Sequence, residues 1–171
     1  MFTYANSCLV SGVRLVDLDC FRQQWGELAG LKFQQAFEEA ARREGGAHQI
    51  APAQRVADFA AGQASDSLPA TSYIPGITPS RLDRWMPPFI AQSLRQGLRT
   101  FGGRMRGYLT NEAVVVGVES RTSTPVRSPR DAATMMPPEV AAPFAAGEGA
   151  GADRGILPAA PAGHAAAQAA A

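Results

Sequence analysis

Five breaks govern what this chain can fold into: Gly45-Gly46, Pro75-Gly76, Thr78-Pro79, Pro87-Pro88 and Gly102-Gly103. Proline interrupts helices and sheet ladders, and a glycine past a helix end adopts the left-handed conformation that stops it. Only short elements fit between such breaks. Residues 31–44 have helical spacing: Phe33 and Phe37 lie four apart, Ala36, Ala40 and Ala41 extend their face, and Glu38, Glu39, Arg42 and Arg43 take the other. Gly45-Gly46 ends that helix. A second short helix is expected over 51–59, with Pro52 in its first turn, and another from Thr78-Pro79, with the hydroxyl as N-cap. Pro87-Pro88 opens a further helix. Its apolar stripe is Phe89, Ile90, Leu94, Leu98 and Phe101, and Gly102-Gly103 is its expected stop.

Strands are expected at 6–16, where β-branched and polar residues partly alternate, and at 113–118, which is the strongest strand signal. Residues 62–68 read as a surface loop and 72–76 as a turn with a positive φ at Gly76. Beyond Asp131 come a proline-rich connection, a glycine cluster and an alanine-rich tail. The mixture of helix and strand makes the fold class α+β, or part of an α/β assembly.

Composition narrows the function. Apolar residues are 46% and charged residues 18% of the 171, enough to bury a core. A formal net charge of +1 gives no field to recruit nucleic acid or an anionic membrane. Lys32 is the only lysine, and the arginines are scattered along the chain. No apolar run approaches the ~20 residues of a membrane span, and the start of the chain is a poor signal peptide, so a cytoplasmic protein is expected. Cys8 and Cys20 form no CxxC pair, and His48 and His164 are remote from them, so no metal site is expected.

Two segments could carry chemistry. The first is Gly147, Glu148, Gly149 and Gly151, followed by Gly155 and Ile156. Such glycines let a backbone approach a ligand closely, and the acid between them can accept hydrogen bonds from sugar hydroxyls. A flexible Gly/Ala linker would look the same. The second follows the strand at 113–118, where Glu119, Arg121, Thr122, Ser123 and Arg127 gather polar groups at a strand end. A solvated turn with a Glu119–Arg121 or Arg130–Asp131 pair is the alternative. Tyr73 could be an aromatic lid or a packing residue, and His48 has no acidic orienter or nucleophile near it in sequence.

Taken in order, the segments Ala-Asn-Ser-Cys-Leu-Val at 5–10, Gly-Leu-Lys-Phe-Gln at 30–34, Ala-Pro-Ala-Gln-Arg-Val at 51–56 and Ser-Tyr-Ile-Pro-Gly at 72–76 resemble the C-terminal region of a bacterial family of FAD-dependent proteins, or NAD(FAD)-utilising dehydrogenases. The likeness includes 82–87 and is strongest at 117–127 and 147–151. It implies an inserted domain and then the returning segment of a Rossmann-like FAD-binding oxidoreductase, with the N-terminal FAD-binding half missing. The domain would span 1–157, with the flavin-return segment at about 141–157 and an Ala/Pro-rich tail at 158–171. The resemblance implies cofactor-binding roles for Gly147, Glu148, Gly149, Gly151, Gly155 and Ile156. It places Arg121, Thr122 and Ser123 on the substrate side, and it leaves the catalytic residues unassigned.

The sequence departs from the family at Ala152, Asp153, Arg154, Pro158, Pro161 and Ala162, and the two prolines weaken the helix expected after the glycines. The first flavin motif is absent. FAD binding is therefore expected only with the missing N-terminal half as partner, with no nucleic acid and no membrane involved. The alternative is a truncated non-catalytic remnant or interaction module that no longer binds FAD by itself.

Overall fold

A strand of unusually small residues organises the structure, a computed structural model that describes residues 4–46, 48–121, 124–131, 133, 134, 136–138, 164, 167 and 168. The chain divides into two compact units, Met1–Ser120 and Arg121–Ala171. In the first, strand β1 (Ala51–Arg55) lies between β2 (Ile77–Pro79), which runs parallel to it, and β3 (Val114–Val116), which runs antiparallel. Ala51 faces Ile77 on one side, and Ala53 faces both Pro79 and Val116. Residues 51–54 are all buried. A strand covered on both faces reads as a continuous buried run with no alternation.

This corrects the helix expected over 51–59. Pro52 does not start a helix; it sits inside the central strand. Its carbonyl accepts the Gly117 N–H at 3.0 Å, but its ring nitrogen has no proton to return. The antiparallel ladder ends at that one-sided pair, and the chain beyond Gly117 is released. Helix begins only at Val56, in α3 (Val56–Ala61), whose first N–H donates to Ala113 O at 2.9 Å. The helix expected from Thr78-Pro79 is replaced by β2, because the Thr78 hydroxyl donates to Gly45 O at 3.1 Å instead of capping a turn.

The amphipathic reading of 31–44 matches α2 (Ala29–Gly45), which ends as expected with Gly46 at φ +89°. It is preceded by α1 (Asp19–Trp25) and by 3-10 turns at Leu15–Leu18 and Gly26–Leu28. No strand forms over 6–16: residues 5–14 have no regular structure, and Arg14 is held locally. Its backbone N–H donates to the Asp17 carboxylate at 2.9 Å and its guanidinium at 3.0 and 3.1 Å, drawing the chain into a 3-10 turn. Helix α4 (Leu82–Trp85) is short. Helix α5 (Pro88–Arg104) opens at the diproline as expected but passes through Gly102-Gly103. A Cβ on Gly102 would lie 2.8 Å from the Leu109 Cβ, so that glycine admits the returning chain and does not end the helix.

The core lies where α3, α4 and α5 meet. Phe59 and Leu82 are fully buried there with Val56, Met86, Ile90 and Leu98. Phe33 and Phe37 close it from α2: Phe33 stacks on Phe89 at 6.2 Å between ring centroids, and Phe37 meets Trp85 at 5.8 Å. Such aromatic pairs contribute about 0.5–1.5 kcal/mol each beyond the area they bury.

Candidate functional site

Strand β3 delivers the chain to the segment expected to carry chemistry, and the first unit holds that exit firmly. After Gly117, Ser120 is fixed to α2 at two points. Its carbonyl accepts from Gln34 Nε2 at 2.7 Å, and its hydroxyl donates to Glu38 Oε1 at 2.6 Å. These contacts span more than 80 positions of sequence. Sequence reasoning placed Glu38 on the charged face of the helix and gave Gln34 and Ser120 no role of their own, although they fall within the family-like segments 30–34 and 117–127. No local signal marks them, because their roles exist only once β3 has paired with β1.

Beside this exit lies a small hollow of about 140 Å³, lined by Glu38, Arg42, Gln49, Tyr73, Gly117 and Val118. Tyr73 is less a lid than a clasp. Its hydroxyl donates to Gln49 O at 2.8 Å, tying the 72–76 turn to the connection between α2 and β1. That turn forms as expected, with Gly76 N–H bonded to Tyr73 O and Gly76 at φ +98°.

Of the residues singled out by sequence, Arg121 is exposed and opens the second unit. Thr122, Ser123, Gly147, Glu148, Gly149, Gly151, Gly155 and Ile156 lie outside the described residues. Glu119 is exposed. In the second unit the Asp131 carboxylate accepts the backbone N–H groups of Thr134 (2.8 Å) and Ala133 (2.9 Å) and the Thr134 hydroxyl, and these bonds hold its carboxyl below the usual range. His48 is exposed, as are Cys8 and Cys20, and no cluster of metal-ligating side chains occurs among the described residues. Among the described residues no helix is long and apolar enough to cross a membrane.

A larger hollow, of about 640 Å³, lies along α5 and includes Arg95 and Arg99 in its lining. Near it, Arg81 makes a two-pronged ion pair with Asp83, at 2.8 Å from Nε and 2.7 Å from a terminal nitrogen. This hydrogen-bonded guanidinium holds the Asp83 carboxyl below its ordinary value. Gln54, fully buried in β1, donates to Gln63 O and, at 3.4 Å, to Asp83. Arginines that are scattered in sequence are thus gathered in space.

A model of the family described as "FAD-dependent protein, C-terminal domain-like" matches residues 2–122, well over half of the chain. The chain belongs to this family. The matched range of the FAD-dependent family covers the whole three-stranded sheet and α1 to α5, and ends just past Arg121. A protein of Clostridium beijerinckii, named only as uncharacterized, is 34% identical over 158 residues, which are 91% of this chain and 29% of that relative. The chain therefore spans under a third of that relative's length. Membership makes this a flavoprotein-related α+β domain.

Proposed function

We propose that this chain supplies the C-terminal portion of a FAD-dependent oxidoreductase, and that a Rossmann-like half outside this sequence holds most of the cofactor. The match of residues 2–122 to the FAD-dependent family carries this reading. The structure fits a contributory role. Dinucleotide pyrophosphate is normally held where a glycine-rich turn joins a strand to a helix. Here β1 runs directly from Arg55 into Val56 of α3, with no glycine at the junction, and β2 passes into α4 through Ser80 and Arg81. No glycine-rich strand-to-helix turn occurs among the described residues of the first unit.

In this reading residues 1–157 form the inserted domain and flavin-return segment, and 158–171 a tail. Gly147, Glu148, Gly149, Gly151, Gly155 and Ile156 contact the flavin, with Glu148 accepting from its hydroxyls. Arg121, Thr122 and Ser123 stand on the substrate side, presented by an exit that Gln34 and Glu38 immobilise. FAD supplies hydride or electron transfer when bound, and the protein supplies position and electrostatics.

The test is reconstitution with the N-terminal half of a family member. Glu148→Ala should weaken FAD about ten- to a hundredfold, because a hydrogen bond to a charged acceptor contributes about 1.5–3 kcal/mol. Arg121→Ala should leave flavin content unchanged and slow flavin reduction, since a guanidinium near the ring stabilises developing negative charge. Fluorescence quenching reads the first and stopped-flow absorbance the second. A reconstituted protein that never takes up flavin would assign the chain to the non-catalytic remnant.

A further inference from the structure

Three arginines from different positions converge on the C-terminal end of α3. Arg95 Nε donates to Ala60 O at 3.3 Å, Arg99 donates to the same oxygen at 2.6 Å, and Arg81 donates to Gly62 O at 2.8 Å. Late helix carbonyls lack intrahelical partners and carry partial negative charge, so they hold guanidiniums well. The Ala60 oxygen has two lone pairs and takes both arginines, which stand one turn apart on α5.

Each guanidinium has five N–H donors, so Arg95 and Arg99 each keep four after bonding Ala60. Neither has a carboxylate within ion-pairing distance among the described residues. The carboxylate in the hollow, Asp83, is already engaged by both prongs of Arg81. The cluster of Arg81, Asp83, Arg95 and Arg99 therefore carries a net charge of about +2 at neutral pH. Gly62 permits the approach: a Cβ there would stand 2.9 Å from the Arg95 guanidinium, on a backbone at φ +78°.

Both arginines line the hollow of about 640 Å³, together with the Gln92 and Gln96 amides and the apolar Pro88 and Ala91. That volume lies in the range of small-molecule sites and exceeds what a bare anion needs. We propose that this hollow is a binding site for a phosphoryl group, with Arg95 and Arg99 as its paired donors and room beside them for the organic part of a small phosphate ester. Guanidinium donors match phosphate oxygens in number and geometry, and the two amides can read polar groups on the attached body. Every residue in the site belongs to the first unit.

Titration calorimetry of the intact chain with inorganic phosphate, adenosine monophosphate and adenosine tests it. The monophosphate should bind at one site, phosphate should compete, and adenosine should fail to bind. Tighter binding of the monophosphate than of phosphate assigns the site to an organic phosphate; equal affinities assign it to the free anion. Arg99→Gln should weaken binding about tenfold. Because Arg99 also caps α3, Gln96→Glu is the second variant: it adds a negative charge to the lining without touching Ala60 and should also weaken binding about tenfold. Absence of binding by either phosphate, or affinities unmoved by Gln96→Glu, would overturn the proposal.

Discussion

Asp83 shows how one carboxylate can organise its surroundings. Its side chain is only 9% exposed, it takes both prongs of Arg81, and it receives a bond from the buried Gln54. Its carboxyl is held below the ordinary value, first by the Arg81 hydrogen bonds. A depressed folded-state pKa contributes stability that is complete above the unfolded value, about 4 for Asp, and is lost as pH falls through the folded value. Denaturant midpoints should therefore decline as the pH falls below about 5, and Asp83→Asn should decline less steeply while melting lower at neutral pH. Identical acid profiles for the two proteins would remove Asp83 from this role. None of this was legible in sequence, where Arg81 and Asp83 are merely two charges two positions apart. Their importance comes from Gly62 and Gln54, which only the fold brings to them.

Among the elements, α2 and α5 were legible and β1 was not, for a physical reason. Phe33, Phe37, Leu94 and Leu98 repeat at the helical period because each helix buries one face, so the pattern survives in the sequence. Strand β1 is buried on both faces and alternates in nothing, and its Pro52 is a residue that central strands usually exclude. The expected strand at 6–16 failed for the converse reason: its β-branched residues alternate, but Arg14 and Asp17 satisfy each other locally and pull the chain into a turn. The candidate site divides in the same way. The 117–121 exit could be expected from the strand signal of three valines, whereas its anchors Gln34 and Glu38 could not.

Gly45 exposes a similar gap between propensity and fold. A helix-interior Gly→Ala change ordinarily stabilises, and Gly97→Ala in α5 should do so by about 0.5–1 kcal/mol. Its new Cβ would meet only the Phe101 ring, at 3.9 Å. Gly45 is buried, and a Cβ there would fall on the Ile50 carbonyl oxygen and lie 3.2 Å from the Pro52 ring. Gly45→Ala should therefore destabilise by about 1–3 kcal/mol, through displacement of the chain entering β1. Urea unfolding of the two variants checks the opposite signs.

At the scale of the whole molecule, the apolar stripes of α2 and α5 in the first unit pack on one another through Phe33 and Phe89. What remains exposed is elsewhere: Val10, Leu15 and Val16 before α1, Trp25 and Leu28 after it, and Ile74 in its turn, 97% exposed. The isolated chain should fold and bind FAD weakly or not at all, because the described residues of its first unit include no glycine-rich strand-to-helix turn for a dinucleotide. Equilibrium dialysis against FAD measures this, and tight stoichiometric yellow flavin would contradict it.

The central strand also sets an order of events during synthesis. Strand β2 leaves the ribosome soon after β1, but β3 follows only after all of α5. Until then the Pro52 carbonyl and the rest of that side of β1 have no partner strand. A nascent chain stalled between Arg104 and Val114 would present β1 as a raw sheet edge, open to the β3 of another copy. Premature termination in this stretch thus favours misassembly between chains over a smaller folded product.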